Sequence, residues 1–339
     1  MTPAIFSLSG PSLSADERAF FAEAQPAGYI LFGRNVENRE QVRALTDALR
    51  ELHGRDDLLI SIDQEGGRVA RMKPPEWDAY PAPGAFAALY DIAPASAIQA
   101  ARANAQLLAM DLAEVGITVD YLPLLDIPTD GAHDVIGDRA LGREPMQVAA
   151  LGRATLDGLA RGGVAGCIKH MPGHGRATVD SHKDLPVVDA GEAELATDIA
   201  PFAKLADAPI AMTAHIRYTA WDADHPATQS EFVISEIIRK RIGFDGLLLS
   251  DDIDMQALEG TIPERSVRAV AAGCDLVLNC WGKMDDMAGT ADALPAMSAK
   301  TRERLDSAMA GVGTPTDETP REDLLAARNS LLDLAGERA

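Results

Sequence analysis

His170, His174 and His182 fall with Asp180 in the stretch KHMPGHGRATVDSH, residues 169–182. Zinc binding by His170 and His174 needs an i, i+4 pair on one helical face, and Pro172, Gly173 and Gly175 oppose a helix there. A dinucleotide loop would take GHGRAT as a shortened glycine fingerprint. Its third glycine is missing, and VDSHKDLP continues as loop where a phosphate-binding helix should begin. Ser181 cannot build a nucleophilic triad with its chain neighbours Asp180 and His182, because adjacent side chains diverge, and the chain has no G-x-S-x-G elbow. Proton chemistry remains. Asp180 stands two residues from His182 in an irregular loop, a spacing that lets a carboxylate reach the imidazole, fix its tautomer and stabilise its charged form. Taken alone, the triplet DSH reads more readily as a solvated polar loop.

Three further clusters change that balance. ISIDQEGGRVARM (60–72) ends an apolar run in Asp63 and turns through Gly66 and Gly67, so that Arg68 or Arg71 can fold back toward the same opening. DVIGDRALGREP (134–145) offers Arg139, and LLLSDDIDM (247–255) ends an apolar run in Asp251, Asp252 and Asp254. Each cluster in isolation is compatible with a structural ion pair; brought to one face, they make a polar pocket.

The elements that would bring them together are legible as alternating strand and helix. Short apolar runs recur at 4–9, 28–33, 58–63, 117–127, 165–170, 210–216, 246–251 and 275–280. Helical spacing marks 38–53, 97–115, 145–162, 190–206, 230–241 and 264–272 between them. Strands apolar on both faces in such units predict an α/β protein, a single (β/α)8 TIM-type barrel, with a doubly wound sheet as the other architecture. Arg34, Asp63, Asp126, Lys169 with His170, His215, Asp251 and Asn279 end the strands and would ring one mouth, the face where barrel enzymes place their chemistry. The barrel core is read as about residues 4–283 of a single catalytic domain, 1–339. Two extra C-terminal helices, 285–309 and 321–337, are expected to pack on it. The segment 171–186, with Pro172 and Pro186 near its ends, is expected to be hinged rather than packed.

The 339 residues are 47% hydrophobic and can bury a large core. Lys and Arg number 31 against 52 Asp and Glu, a formal charge of −21, with the basic residues scattered; a nucleic-acid partner is not expected. No run approaches the ~18 apolar residues of a membrane span and no basic leader precedes the first apolar run, so the reading is cytoplasmic, without membrane association. Cys167, Cys274 and Cys280 lack CxxC spacing and lie in apolar runs, where free thiols serve as small core residues. No metal or other cofactor is expected.

DQEGGRV, IGDRALGREP, KHMPGHG, DSHKDLP and SDDIDM, in that order and at these intervals, resemble glycoside hydrolase family 3, and within it the single-domain bacterial β-N-acetylhexosaminidases. The resemblance covers roughly residues 4–282. It implies Asp251 as the nucleophile, His182 as general acid/base with Asp180 as its partner, and Asp63, Arg71, Arg139, Lys169 and His170 as sugar-binding residues. His174 is expected to bond the turn. The implied activity is retaining removal of terminal N-acetylglucosamine from cell-wall muropeptides during peptidoglycan recycling, by a monomer. The alternatives are a β-glucosidase, β-xylosidase or phosphorylase of the same family, or a sugar-binding barrel without catalysis.

Overall fold

The structure is a computed structural model that describes residues 1–131, 133–179, 181 and 184–336. Parallel strands β1 (Thr2–Ser7), β2 (Pro26–Leu31), β3 (Leu59–Ile62), β4 (Val119–Asp120), β5 (Ala165–Met171), β6 (Ile210–Thr213), β7 (Leu247–Asp252) and β8 (Leu276–Leu278) close into an eight-membered barrel. Neighbours follow chain order and β1 pairs with both β8 and β2, so the barrel is closed rather than a doubly wound sheet. β4 is shorter than its apolar run. Pro123 has no N–H to give a ladder, yet the chain stays beside β5 through Cys167 N to Leu122 O at 2.7 Å and Leu125 N to Lys169 O at 2.7 Å.

Alternation along each strand divides the core. Leu59, Cys167, Leu247, Leu249 and Leu276 fill the barrel interior, while Phe6, Tyr29, Ile60, Ile168 and Leu248 face the helical layer. That layer contains α1 (Ala15–Ala24), α2 (Arg39–His53), α3 (Pro83–Ile92), α4 (Pro94–Glu114), α5 (Pro145–Arg161), α6 (Glu192–Lys204), a segment wound as a π-helix over Val233–Ile242, and α7 (Ile262–Ala272). Val42, Leu45 and Leu49 of α2 recur at three- and four-residue spacing and are all buried, with Asn38 capping the helix through the Gln41 N–H.

The stretch 285–309, expected as one helix, is two: α8 (Met284–Ala293) and α9 (Ala299–Met309). Pro295 lies in the break, and Ser298 caps the second helix by accepting from Thr301 N at 3.0 Å. Leu305, Ala308 and Met309 of α9 join the apolar cluster of the barrel interior, and Arg304 bonds Asp275 just before β8 at 3.0 Å, so α9 stops the N-terminal end of the barrel. α10 (Arg321–Gly336) packs on α4 through Arg321 to Asp111 at 3.0 Å and Arg328 to Asn104 at 3.3 Å. Among the described residues no helix is long and apolar enough to cross a membrane.

Candidate active site

With one end stopped by α9, chemistry is confined to the other, and strand parity decides what reaches it. Leu59 and Ser61 face inward and Asp63 continues their row; Ala165 and Cys167 are continued by Lys169, and Leu247 and Leu249 by Asp251. All three line a cavity of about 360 Å³ at the C-terminal mouth, together with Arg71, Arg139 and His170. β3 and β7 are four strands apart around the closed barrel, so Asp63 and Asp251 enter from opposite walls. The volume is near the lower end of ~300–1,000 Å³ for small-molecule sites, enough for one small ring with the remainder of a longer molecule outside.

The wall at β3 and β5 is a charge network. Asp63 accepts from Lys169 Nζ at 3.1 Å and from Arg71 Nη2 at 3.2 Å. Lys169 Nζ lies 2.6 Å from Glu65 Oε1, and Arg139 grips Glu65 in a two-pronged bond with both N···O distances 2.8 Å. Burial pushes the Glu65 carboxyl upward, but the Lys169 and Arg139 charges outweigh it and hold the group well below the usual carboxylate range. Burial opposes the charge of Lys169, and the Glu65 and Asp63 carboxylates overcome it and raise its pKa. Glu65 thus keeps two cations in fixed positions inside a low-dielectric wall.

The turn carrying Asp63 and Arg71 is held by Gln64, which accepts from Arg71 N at 2.8 Å and donates to Met72 O at 2.8 Å. Gly66 has φ +96°, and a Cβ there would lie 2.3 Å from Pro81 O, so the tight return needs glycine. Of the two arginines that could fold back, Arg71 meets Asp63. Arg68 also lines the cavity, bonding Asp138 at 2.9 Å and Asp134 O at 2.9 Å.

Beyond β5 the chain is organised by Asp126, which is fully buried. It accepts from His170 Nδ1 at 2.7 Å and from the His174 N–H at 2.6 Å. Burial raises the Asp126 carboxyl, and the paired His170 more than compensates, so its pKa is lowered. The His174 ring stands 5.5 Å from that of His170 and meets Ser181 Oγ at 3.2 Å. Burial first, then the charge of His170, pushes the His174 imidazole down to about 4, so it is neutral at physiological pH. Residues 171–175 are buried, and Thr129 N and His133 N bond Gly175 O and Ala177 O. The first half of the segment expected to be hinged is therefore packed against the loop after β4.

The three acids after β7 separate clearly. Asp254 is occupied as a cap, accepting from Asn279 Nδ2 at 3.0 Å and Cys280 N at 2.9 Å. Asp252 shares parity with Leu248 and accepts from Asp254 N at 3.0 Å; burial, followed by the adjacent Asp254 charge, raises its pKa well above the usual range. Asp251 continues the inward row and accepts from Asp252 N at 2.8 Å.

Of the residues singled out in the sequence, Asp63, Arg71, Arg139, Lys169, His170 and Asp251 come together in one cavity. Asp180 and His182 lie outside the described residues. Arg34, Asp126, His215 and Asn279 are not in the cavity wall but bond what supports it: Arg34 Nε donates to Leu8 O at 2.8 Å, and His215 meets Asp252 O at 2.9 Å. Glu65 was not singled out. Its signal was the charge balance: Lys169, Arg71 and Arg139 at one mouth require more than Asp63 to remain buried and charged. Among the described residues no group of three or more His, Cys, Asp or Glu could hold a metal ion. An inward carboxylate facing fixed ammonium, guanidinium and carboxylate groups suits a neutral, hydroxyl-rich molecule attacked at one carbon.

Comparison with known proteins agrees with this chemistry. The model of the glycosyl hydrolase family 3 N-terminal domain matches residues 5–314. A β-hexosaminidase of Alkalilimnicola ehrlichii is 41% identical over 283 residues, 82% of this chain and 80% of its own length. A β-hexosaminidase of Chromobacterium violaceum is 38% identical over 343 residues, covering 98% and 94%. The crystal structure of NagZ from Neisseria gonorrhoeae in complex with N-trifluoroacetyl-D-glucosamine is similar with a TM-score of 0.87 and 32% identity over 98% of each chain.

Proposed function

The chain belongs to glycosyl hydrolase family 3, and from that premise we propose that it is a retaining β-N-acetylhexosaminidase that removes terminal N-acetylglucosamine. The observation that carries the reading is the inward Asp251 carboxylate facing the Asp63–Lys169–Glu65–Arg139 network across a cavity sized for one sugar ring. Asp63, Arg71, Arg139, Lys169 and His170 hold the hydroxyl and acetamido groups. An Asp251 oxygen attacks the anomeric carbon as the bond to the leaving oxygen breaks, and the His182 imidazolium, supported by Asp180, gives that oxygen a proton. Water then attacks the glycosyl ester, His182 takes its proton, and Asp251 is released. Asp252 is less suited to the attack, because burial and the adjacent Asp254 charge raise its pKa and oppose its anionic form.

The proposed natural substrate is N-acetylglucosamine β-linked to an anhydro-muramic acid sugar or muropeptide, processed in the cytoplasm during peptidoglycan recycling. The sugar ring fills the cavity, and the aglycone extends outside it. Turnover of an aryl N-acetylglucosaminide should exceed that of the aryl glucoside by more than about a hundredfold, because a site built to bond the acetamido group leaves buried donors unpaired with glucose. A glucoside preference would transfer the reading to a β-glucosidase, and a sugar 1-phosphate product in phosphate buffer to a phosphorylase. A fluorinated N-acetylglucosaminyl inactivator should label Asp251, and Asp251→Ala should lower kcat by at least about a thousandfold while leaving Tm unchanged. Labelling of Asp252 or Asp254 would reject the assignment.

A further inference from the structure

Ser181 is 2% exposed, although Thr178, Val179 and Asp184 of the same loop are exposed. Two bonds account for its burial. Its Oγ meets His174 Nε2 at 3.2 Å, and its carbonyl accepts from Ala257 N at 3.3 Å. His174 is itself tied through its N–H to Asp126, which also holds His170. Ala257 lies in the segment that follows Asp251 at the end of β7. One serine therefore joins the loop leaving β5 to the loop leaving the strand of the inward carboxylate.

We infer that Ser181 is a positioning residue, a clasp through which His174 and Ala257 fix this point of the loop, and that the proposed proton transfer by its chain neighbours Asp180 and His182 depends on that clasp. The inference rests on the proposed roles of those three residues. Its physical basis is chain connectivity. Consecutive Cα atoms are ~3.8 Å apart, so a residue fixed through both side chain and carbonyl constrains the two bonded to it. Proton transfer needs heavy atoms within ~2.6–3.2 Å, and a misplacement of about 1 Å costs about a hundredfold. The clasp suits neutral pH, since burial keeps the His174 ring neutral, with one nitrogen for the hydroxyl. His174 thus has a duty in this loop beyond bonding its own turn.

The test compares kcat/KM for two N-acetylglucosaminides, one with a nitrophenolate leaving group and one with a sugar alkoxide. Only the second needs a proton from the enzyme. The ratio of the two is independent of the fraction of folded protein, so a variant that is partly unfolded still reports. Ser181→Ala should lower the alkoxide value about tenfold or more relative to the nitrophenyl value, and should move the alkaline limb of its pH profile. His174→Ala should reproduce that ratio, and His174→Gln, whose amide reaches where Nε2 stands, should restore it toward wild type. His182→Ala, measured alongside, should give the largest split. A wild-type ratio in Ser181→Ala with a split in His182→Ala would overturn the clasp and leave the proposed function standing. No split in His182→Ala would overturn both.

Discussion

Glu65 lies fully inside the wall of the cavity, and its replacement by glutamine separates its charge from its shape. Glu65→Gln leaves Lys169 and Arg139 side by side with Asp63 as their nearest remaining anion. Removing one partner of a buried ion pair costs about 3–5 kcal/mol, so Glu65→Gln should lower the unfolding free energy by about 3 kcal/mol in urea and raise KM, because both cations proposed to bind the sugar lose their fixed positions. Unchanged stability with unchanged KM would mean that Asp63 alone balances the cations. Asp251 was singled out by its place at the end of an apolar run and by the family resemblance, and the structure adds its parity with Leu247 and Leu249, which turns it inward, while Asp252 shares the parity of Leu248. Glu65 was harder to read, because it follows the strand, where alternation no longer says which way a side chain points. Its role depends on Arg139, 74 residues away in the chain. Only the excess of cations at one mouth pointed toward it.

At the scale of elements, the segment after β5 is shaped by contacts that the sequence does not print. Gly175 is an instance: a Cβ there would stand 1.8 Å from the carbonyl oxygen of Ile127, in the loop after β4. Gly175→Ala must push apart the two loops that Thr129 N and Gly175 O join at 3.1 Å. The expected cost is about 3 kcal/mol or more of stability, as for severe overpacking, with loss of activity in the fraction that still folds. A native Tm and rate would show that the loops can separate without consequence. Pro and Gly in KHMPGHG suggested hinges, whereas Gly175 permits a close approach and its surroundings are packed. The strand-helix alternation was legible through residue 280 because apolar runs and amphipathic spacing carry it. α1 and α3 were not found. The Ser14–Glu17 capping box announced α1 locally, with Glu17 bonding Ser14 N at 2.9 Å, but its apolar face is too slight to show as periodicity. The break between α8 and α9 was signalled by Pro295 and passed over in a stretch otherwise rich in helix formers.

Across the whole molecule, histidines kept neutral by burial couple stability to pH. His174 is held down to about 4 by burial and by the charge of His170, and His53, beside Tyr29 Oη at 2.7 Å, also to about 4 by burial and Arg55. His215 is fully buried and lowered as well, by burial first. For His174 and His53 the unfolded chain binds a proton near ~6.5 and the folded protein does not, so between about 6.5 and about 4 the unfolded state carries more protons, and His215 acts in the same direction. The sign follows: the contribution of these groups to stability is complete above ~6.5 and is lost as pH falls toward 4. A single histidine contributes a slope of up to ~1.4 kcal/mol per pH unit in that window. His53 contributes less, because it is only half-buried and solvent screens it. Carboxylates with lowered pKa values, such as Glu65, lose their contribution only at still lower pH, whereas Asp252 and Asp120, raised well above the usual range by burial, hold protons that the unfolded chain releases and so act against the imidazoles. The variant-minus-wild-type difference isolates each imidazole: in urea titrations between pH 7 and pH 5, His174→Gln should reduce the loss of unfolding free energy on acidification by up to one proton relative to wild type, and His53→Gln by less. A slope identical to wild type in His174→Gln would show that the ring is charged in the folded protein, and Ser181 would then face an imidazolium rather than a neutral partner.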